Sequence, residues 1–159
     1  MKTLKLILFI FFVCLVGNVS SQSIAIVTTT NMCFGSFAVS NATGGTITIY
    51  ANGTRSATGG ITLVAGTTPT AAAFTVTGTV GHTYNITSLS GISCITSSGG
   101  NNMTIDTFTS NPVADGTATG SLTTGSQILY VGATLHILAA QPSGTYPSGT
   151  GFTIQVQIN

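Results

Sequence analysis

Charge is what this sequence most lacks. Only three of its 159 residues are Lys or Arg and only two are acidic, Asp106 and Asp115. Glutamate and tryptophan are absent. Lys2 and Lys5 stand at the very start, so Arg55 is the one cation in the body of the chain. A surface that binds nucleic acid neutralises phosphates with clustered Lys and Arg, and no such cluster exists here. No apolar run approaches the roughly 20 residues of a membrane-spanning helix. Low charge accompanies disorder only where aliphatic and aromatic residues are also scarce. Here they make up 43% of the chain, so a folded core is expected and solubility falls to Thr, Ser, Asn and Gly.

The first residues read as a leader. Lys2 and Lys5 precede an apolar run from Leu6 to Val16, and Gly17-Asn18-Val19-Ser20-Ser21 follows. Positive start, short apolar centre and small-residue end are the three parts of a secretory signal peptide. The expected cut falls between Ser21 and Gln22, giving a leader of residues 1–21 and a single domain of residues 22–159; an uncleaved anchor is the alternative. Cys14 inside the apolar run lacks the small residues that precede a lipidated cysteine. Export implies an extracellular or cell-surface destination. The domain then has no integral membrane span.

What is present is β-forming. Val, Ile and Thr recur in short alternating runs divided by Gly, Asn and Ser, the pattern of a sandwich or barrel. Candidate strands open at Ile24–Val27, Cys33–Val39 and Thr46–Tyr50. Asn52-Gly53 follows, the dipeptide of a type I′ hairpin turn. Further runs occupy Ile61–Val64, Ala73–Thr77, Thr83–Thr87, Ile92–Ile95, Met103–Phe108, Gln127–Val131 and Ala133–Ile137, with a bulge or bend expected at Gly132. The last run places Phe152, Ile154, Val156 and Ile158 on one face. No segment of helical length has a 3.6-residue apolar period. The expected fold is an all-β, immunoglobulin-like antiparallel β-sandwich of about 8–10 short strands.

Chemistry has little to work with. Acid–base catalysis needs titratable groups brought together, and the candidates are His82, His136, Asp106, Asp115, Arg55 and the tyrosines. No nucleophile-elbow motif is present, and the two histidines and two remaining cysteines do not occur at zinc-ligand spacing. Asp115-Gly116 reads as a turn. Catalytic, cofactor and metal sites are therefore all expected to be absent.

Cys33 and Cys94 are the two cysteines left after the leader, and an oxidising compartment favours their pairing. A disulfide would close a loop of about 60 residues and contribute about 3–4 kcal/mol; two unpaired thiols are the alternative. Sequons begin at Asn41, Asn52, Asn85 and Asn102 and matter only in a host that glycosylates them.

Gly45–Ile49, Gly53–Leu63, Ala73–Gly78, Thr83–Thr87, Tyr130–Leu135 and Gln141–Tyr146 with the final strand together resemble the bacterial exported family known as domain of unknown function 4402. Pro142-Ser143-Gly144-Thr145-Tyr146 before an alternating strand is also similar to the ends of spore-coat U-type domains and chaperone–usher pilus subunits. That resemblance implies an immunoglobulin-like surface or fimbria-like protein and carries over no catalytic residue. The cysteine pair and the added Pro147–Thr150 depart from the family pattern.

Two functions follow as expectations. One is a structural or adhesive surface protein whose partners are copies of itself or other surface subunits. Unguarded β-edges template pairing with another chain, and residues 22–30, bearing Ile24 and Ile26, form a candidate strand donor. The alternative is that this segment is simply strand one of a self-contained sandwich. The other function is a monomeric binding module, for glycans for example, using Tyr50, Tyr84, Tyr130 and Tyr146.

Overall fold

A computed structural model describes residues 22–91, 94–113, 120–147 and 152–159, with the backbone alone at Cys94 and Phe152. These residues form strands and no helix. In chain order the strands are β1 (Ile24–Thr30), β2 (Phe37–Val39), β3 (Gly45–Ile49), β4 (Arg55–Gly59), β5 (Ile61–Leu63) and β6 (Ala72–Gly78). Then come β7 (Thr83–Gly91), β8 (Cys94–Thr96), β9 (Asn102–Asn111), β10 (Gly120–Ser121), β11 (Ser126–Ile137) and β12 (Phe152–Ile158). The fold is an antiparallel β-sandwich, as the alternating pattern predicts.

One layer is a seven-stranded sheet running β1-β6-β11-β3-β4, with β9 on the other side of β11 and β8 beyond it. Leu135 lies opposite both Ile47 and Ile105, and Val131 opposite both Ala72 and Ser110. Strands β6 and β3 therefore follow one another along a single edge of β11, and β9 takes the other edge. The opposing layer has two pieces, β10-β7-β12 and β2-β5.

Period-2 alternation builds the core between them. Ile47, Ile49, Val76, Leu129, Val131 and Leu135 are fully or almost fully buried, and Tyr84, Ile86 and Leu122 meet them from the second layer. Each such aliphatic side chain is worth about 1.5–3 kcal/mol relative to exposure. The final strand keeps its expected apolar face, but Ile154, Val156 and Ile158 are only half-buried.

Several expected boundaries move. Gln127–Val131 and Ala133–Ile137 are one strand, because β11 runs unbroken through Gly132. Glycine is needed there for closeness: a Cβ would meet the carbonyl oxygen of Ile49 where β3 leaves the sheet edge. The register does shift beside Gly132, but the extra residue is on β9, where Thr107 and Phe108 oppose Ala133. Thr107 takes φ 50°, the left-handed first position of a bulge that glycine usually fills. The Asn52-Gly53 turn is also of another type. Gly53 has φ 83°, Asn52 does not share a positive φ, and Gly53 N donates to Tyr50 O at 2.8 Å. That is a type I turn closed by a left-handed glycine, not type I′. The side chain of Asn52 settles it by accepting from Thr54 N at 3.0 Å and Thr54 Oγ1 at 2.7 Å.

Elsewhere, β7 continues to Gly91 through a Ser/Gly stretch that reads as a turn. Only Phe37–Val39 of the expected second strand is a strand, while Cys33 makes an isolated bridge to Thr70. The leader, Ile92, Ser93, the Asp115-Gly116 turn and Ser148–Thr150 lie outside the described residues.

Candidate functional site

The few ionisable groups are spread over the molecule. Arg55, half-buried on β4, donates from Nη1 to the carbonyl of Phe34 at 2.8 Å and that of Ser36 at 3.3 Å. Its charge is used to hold the 34–36 segment over the sheet edge. His82 is half-buried beside the last residue, its Nδ1 3.1 Å from the Asn159 oxygen. His136 and Asp106 do meet: the Asp106 carboxylate accepts from His136 Nε2 at 2.8 Å, and both side chains are about half exposed. That bond, together with the Thr107 hydroxyl at 2.9 Å, holds the Asp106 carboxyl below the usual carboxylate range.

The surroundings of this pair are an open face of hydroxyls. Thr104 and Thr134 are its cross-strand neighbours, and Thr48 Oγ1 lies 3.0 Å from Thr134 Oγ1. A hydrolytic triad needs a serine or threonine hydroxyl bonded to the second ring nitrogen, in a setting that excludes water. The described contacts of His136 include no such hydroxyl. Among the described residues no group of three or more His, Cys, Asp or Glu could hold a metal ion.

A groove of about 900 Å³ opens between the 32–39 segment and the 140–147 loop. Its floor is the inner face of β8, β9 and β11, with Ile95, Met103, Ile105 and Leu135, and Phe37, Phe108 and Tyr146 line its sides. Among the described residues, no Asp, Glu, Lys, Arg or His lines it. The loop is held by Gln141, which donates to Asn102 O at 3.1 Å and to the Tyr146 hydroxyl at 2.9 Å; that hydroxyl donates to Pro142 O at 2.9 Å. Cys33 sits half-buried on the groove wall and bonds no cysteine side chain among the described residues. The Cys94 side chain, and with it the expected Cys33–Cys94 disulfide, lies outside the described residues.

The tyrosines do not form one patch. Tyr84 is fully buried and Tyr146 ties down the loop. Tyr50 and Tyr130 are exposed on the outer face of the seven-stranded sheet, on either side of Gly132. Ile24 and Ile26, the candidate strand-donor residues, lie in β1, which pairs with β6 of the same chain.

Comparison with protein families agrees with this architecture. A family model, Domain of unknown function (DUF4402), matches residues 24–158. The chain belongs to that family. The matched span opens on the first residue of β1 and closes on the last of β12, so it takes in the whole sandwich. No curated protein and no solved structure matches the chain. The family's description names no activity, and the functional reading therefore rests on the molecule itself.

Two features of the site escape a reading of the sequence. The groove is assembled from segments over a hundred residues apart, and nothing local marks it. The His136–Asp106 bond depends on the β9–β11 register and on a bulge that no glycine announces. Arg55 carried one usable signal: a lone cation in an uncharged chain has a structural or a binding duty.

Proposed function

We propose that this chain is an exported structural or adhesive protein of the cell surface, a fimbria-like subunit. The observation that carries the reading is the near-absence of charge on a sandwich with long unguarded strand edges. Soluble β proteins blunt their edges with charge, especially Lys, and neither β1 nor β12 contains an ionisable residue. The leader-like start and the similarity of the closing Pro142–Tyr146 segment to fimbrial and spore-coat U-type subunits favour the same role. The chain is not an enzyme in this reading.

Expression of the full chain in a bacterium, followed by fractionation and non-reducing electrophoresis, tests it. The expected result is a processed product on the cell surface or in the medium, in SDS-resistant or sedimentable assemblies. Retention of unprocessed protein in the cytoplasm would sink the proposal.

A second reading has its own support. Tyr50 and Tyr130, exposed among threonines and Ser56 on the outer face that also carries the His136–Asp106 pair, suit the stacking and hydroxyl contacts of a neutral glycan. Glycan-array binding that disappears in Tyr50→Ala and Tyr130→Ala variants would favour it. Binding unaffected by both would remove it.

A further inference from the structure

The two long free edges lie together. Strands β1 and β12 each pair on one side only among the described residues, and they lie against each other at one flank of the sandwich. The hydrogen bonds say which groups of β1 are unused. Gly78 N donates to Gly125 O, so Gly78 directs its backbone groups at β11. In an antiparallel strand this direction alternates by residue. Val76 and Phe74 thus also face β11, while Thr77, Thr75 and Ala73 face β1. The Thr29 hydroxyl, which donates to Ala73 O at 3.0 Å, agrees with that assignment. Thr77 and Thr75 are opposite Ala25 and Val27, whose amides and carbonyls are therefore engaged. Those of Ile24, Ile26 and Thr28 point out from the flank.

We infer that this flank pairs with a second copy of the chain, β1 against β1, about a two-fold axis at Ile26. The inference rests on the assembly reading above and names its partner and surface. The spacing is self-complementary. Ile26 exchanges both backbone bonds with Ile26 of the second copy, and Ile24 does so with Thr28 of the second copy. The intervening residues, Ala25 and Val27, come directly opposite one another on the outer face. Val27 is 61% exposed, and its row continues through Thr75 to Ile128, itself 50% exposed. Pairing sets Val27 against Ala25 of the second copy, carries this row across the junction and satisfies the outward amides in one step. No charge opposes it, since β1 has none. An antiparallel pairing of one strand with itself is isologous and closes on two copies. The product is a continuous double-width sheet, and any longer assembly grows through other surfaces.

The test is sedimentation of the protein recovered from full-chain expression, across a dilution series. A dimer is expected, and Ala25→Lys/Val27→Lys should raise its dissociation constant about tenfold or more by placing like charges opposite each other. Both side chains are exposed and their backbone bonds to β6 are kept, so circular dichroism should be unchanged. Thr58→Lys, on β4, a different terminal strand of the same sheet, should leave the dimer intact. An Ala25→Cys/Val27→Cys protein should form a covalent dimer on mild oxidation, since that opposed pair has a Cα separation of about 4.5 Å, within disulfide reach. A monomer at all concentrations with no cross-link overturns the inference but leaves surface display to be judged by fractionation. An assembly that both lysine variants leave unchanged also overturns it, while sustaining the wider assembly reading.

Discussion

Two terminal strands of the seven-stranded sheet, β4 and β1, are treated in opposite ways. At β4 the edge is wrapped. Arg55 binds the carbonyls of Phe34 and Ser36, Gly60 N donates to Gly44 O at 2.9 Å, and Ser40 N donates to Gly60 O at 2.9 Å. These bonds draw the 34–44 segment and the small β2–β5 sheet against the strand. At β1 nothing comparable occurs among the described residues: Ile24 and Ile26 are half-buried, Val27 is exposed, and the outer backbone groups face outward. The only cation in the body of the chain has gone to the closed edge. In a protein so poor in charge, edge protection is local, and where it is missing the open edge is the feature that needs a purpose.

The contrast is broken most strongly by truncating one isoleucine on each side. Ile47 on β3, beside the closed edge, is fully buried, and Ile47→Ala should lower stability by about 2–5 kcal/mol. Ile26→Ala on half-buried β1 should lower it by only about 1 kcal/mol. Urea unfolding with unchanged m-values reads the difference. Equal losses would mean that β1 is as well packed as β3, and the comparison would fail. Arg55→Met comes next. It keeps the aliphatic stem but removes the charged donor from two carbonyls, at a cost of about 1.5–3 kcal/mol. Proteolysis of the 34–44 segment should quicken at the same time, while β1 is unaffected.

Much of this sandwich is legible in the chain because burial enforces the period. Ile47 and Ile49 alternate with threonines and are both fully buried, and Phe74 and Val76 behave alike. The misreadings share a cause. Gly132 and the Ser88–Gly91 stretch look like breaks, yet each lies within a strand, since small residues also serve where backbones crowd or a strand runs on at the surface. At Asn52-Gly53 the place of the turn is readable but its type is not, because Asn52 bonds Thr54 in a conformation that needs no positive φ. Pairing order, the groove and the His136–Asp106 bond depend on which strands become neighbours, and alternation within a strand carries no information about that.

Thr107 sits on β9, across β11 from both of these edges, and sharpens the picture by a smaller amount. A β-branched residue at φ 50° is held there by the bulge opposite Ala133. Thr107→Gly removes a left-handed cost of roughly 1–2 kcal/mol, offset by about 0.5–1 kcal/mol of added backbone freedom in the unfolded chain and by the lost hydroxyl bond to Asp106. A rise of about 2 °C in melting temperature is expected. Thr107→Ala keeps the Cβ and loses the hydroxyl, so it should give no gain. A glycine variant that melts lower than the alanine one would show that the bulge is not strained.

The smallest effect concerns an ionic contact that guards neither edge, His136–Asp106. Asp106 is held below the usual carboxylate range, first by the His136 ring and then by the Thr107 hydroxyl. A carboxylate whose folded pKa is depressed contributes stability above its unfolded pKa, and that contribution is lost as pH falls through the folded value. The stability difference between the natural chain and Asp106→Asn should therefore be flat near neutrality. It should shrink as the pH drops below about 3.9, the ordinary value for aspartate. Both side chains are about half exposed, so the difference should stay below about 1 kcal/mol and weaken with added salt. Because this contact joins β9 to β11, away from both β1 and β4, losing it should leave those two edges, and any pairing through β1, unchanged. A change in dimerisation with Asp106→Asn would mean that the open edge is set by the sheet's interior and not by its own missing guards.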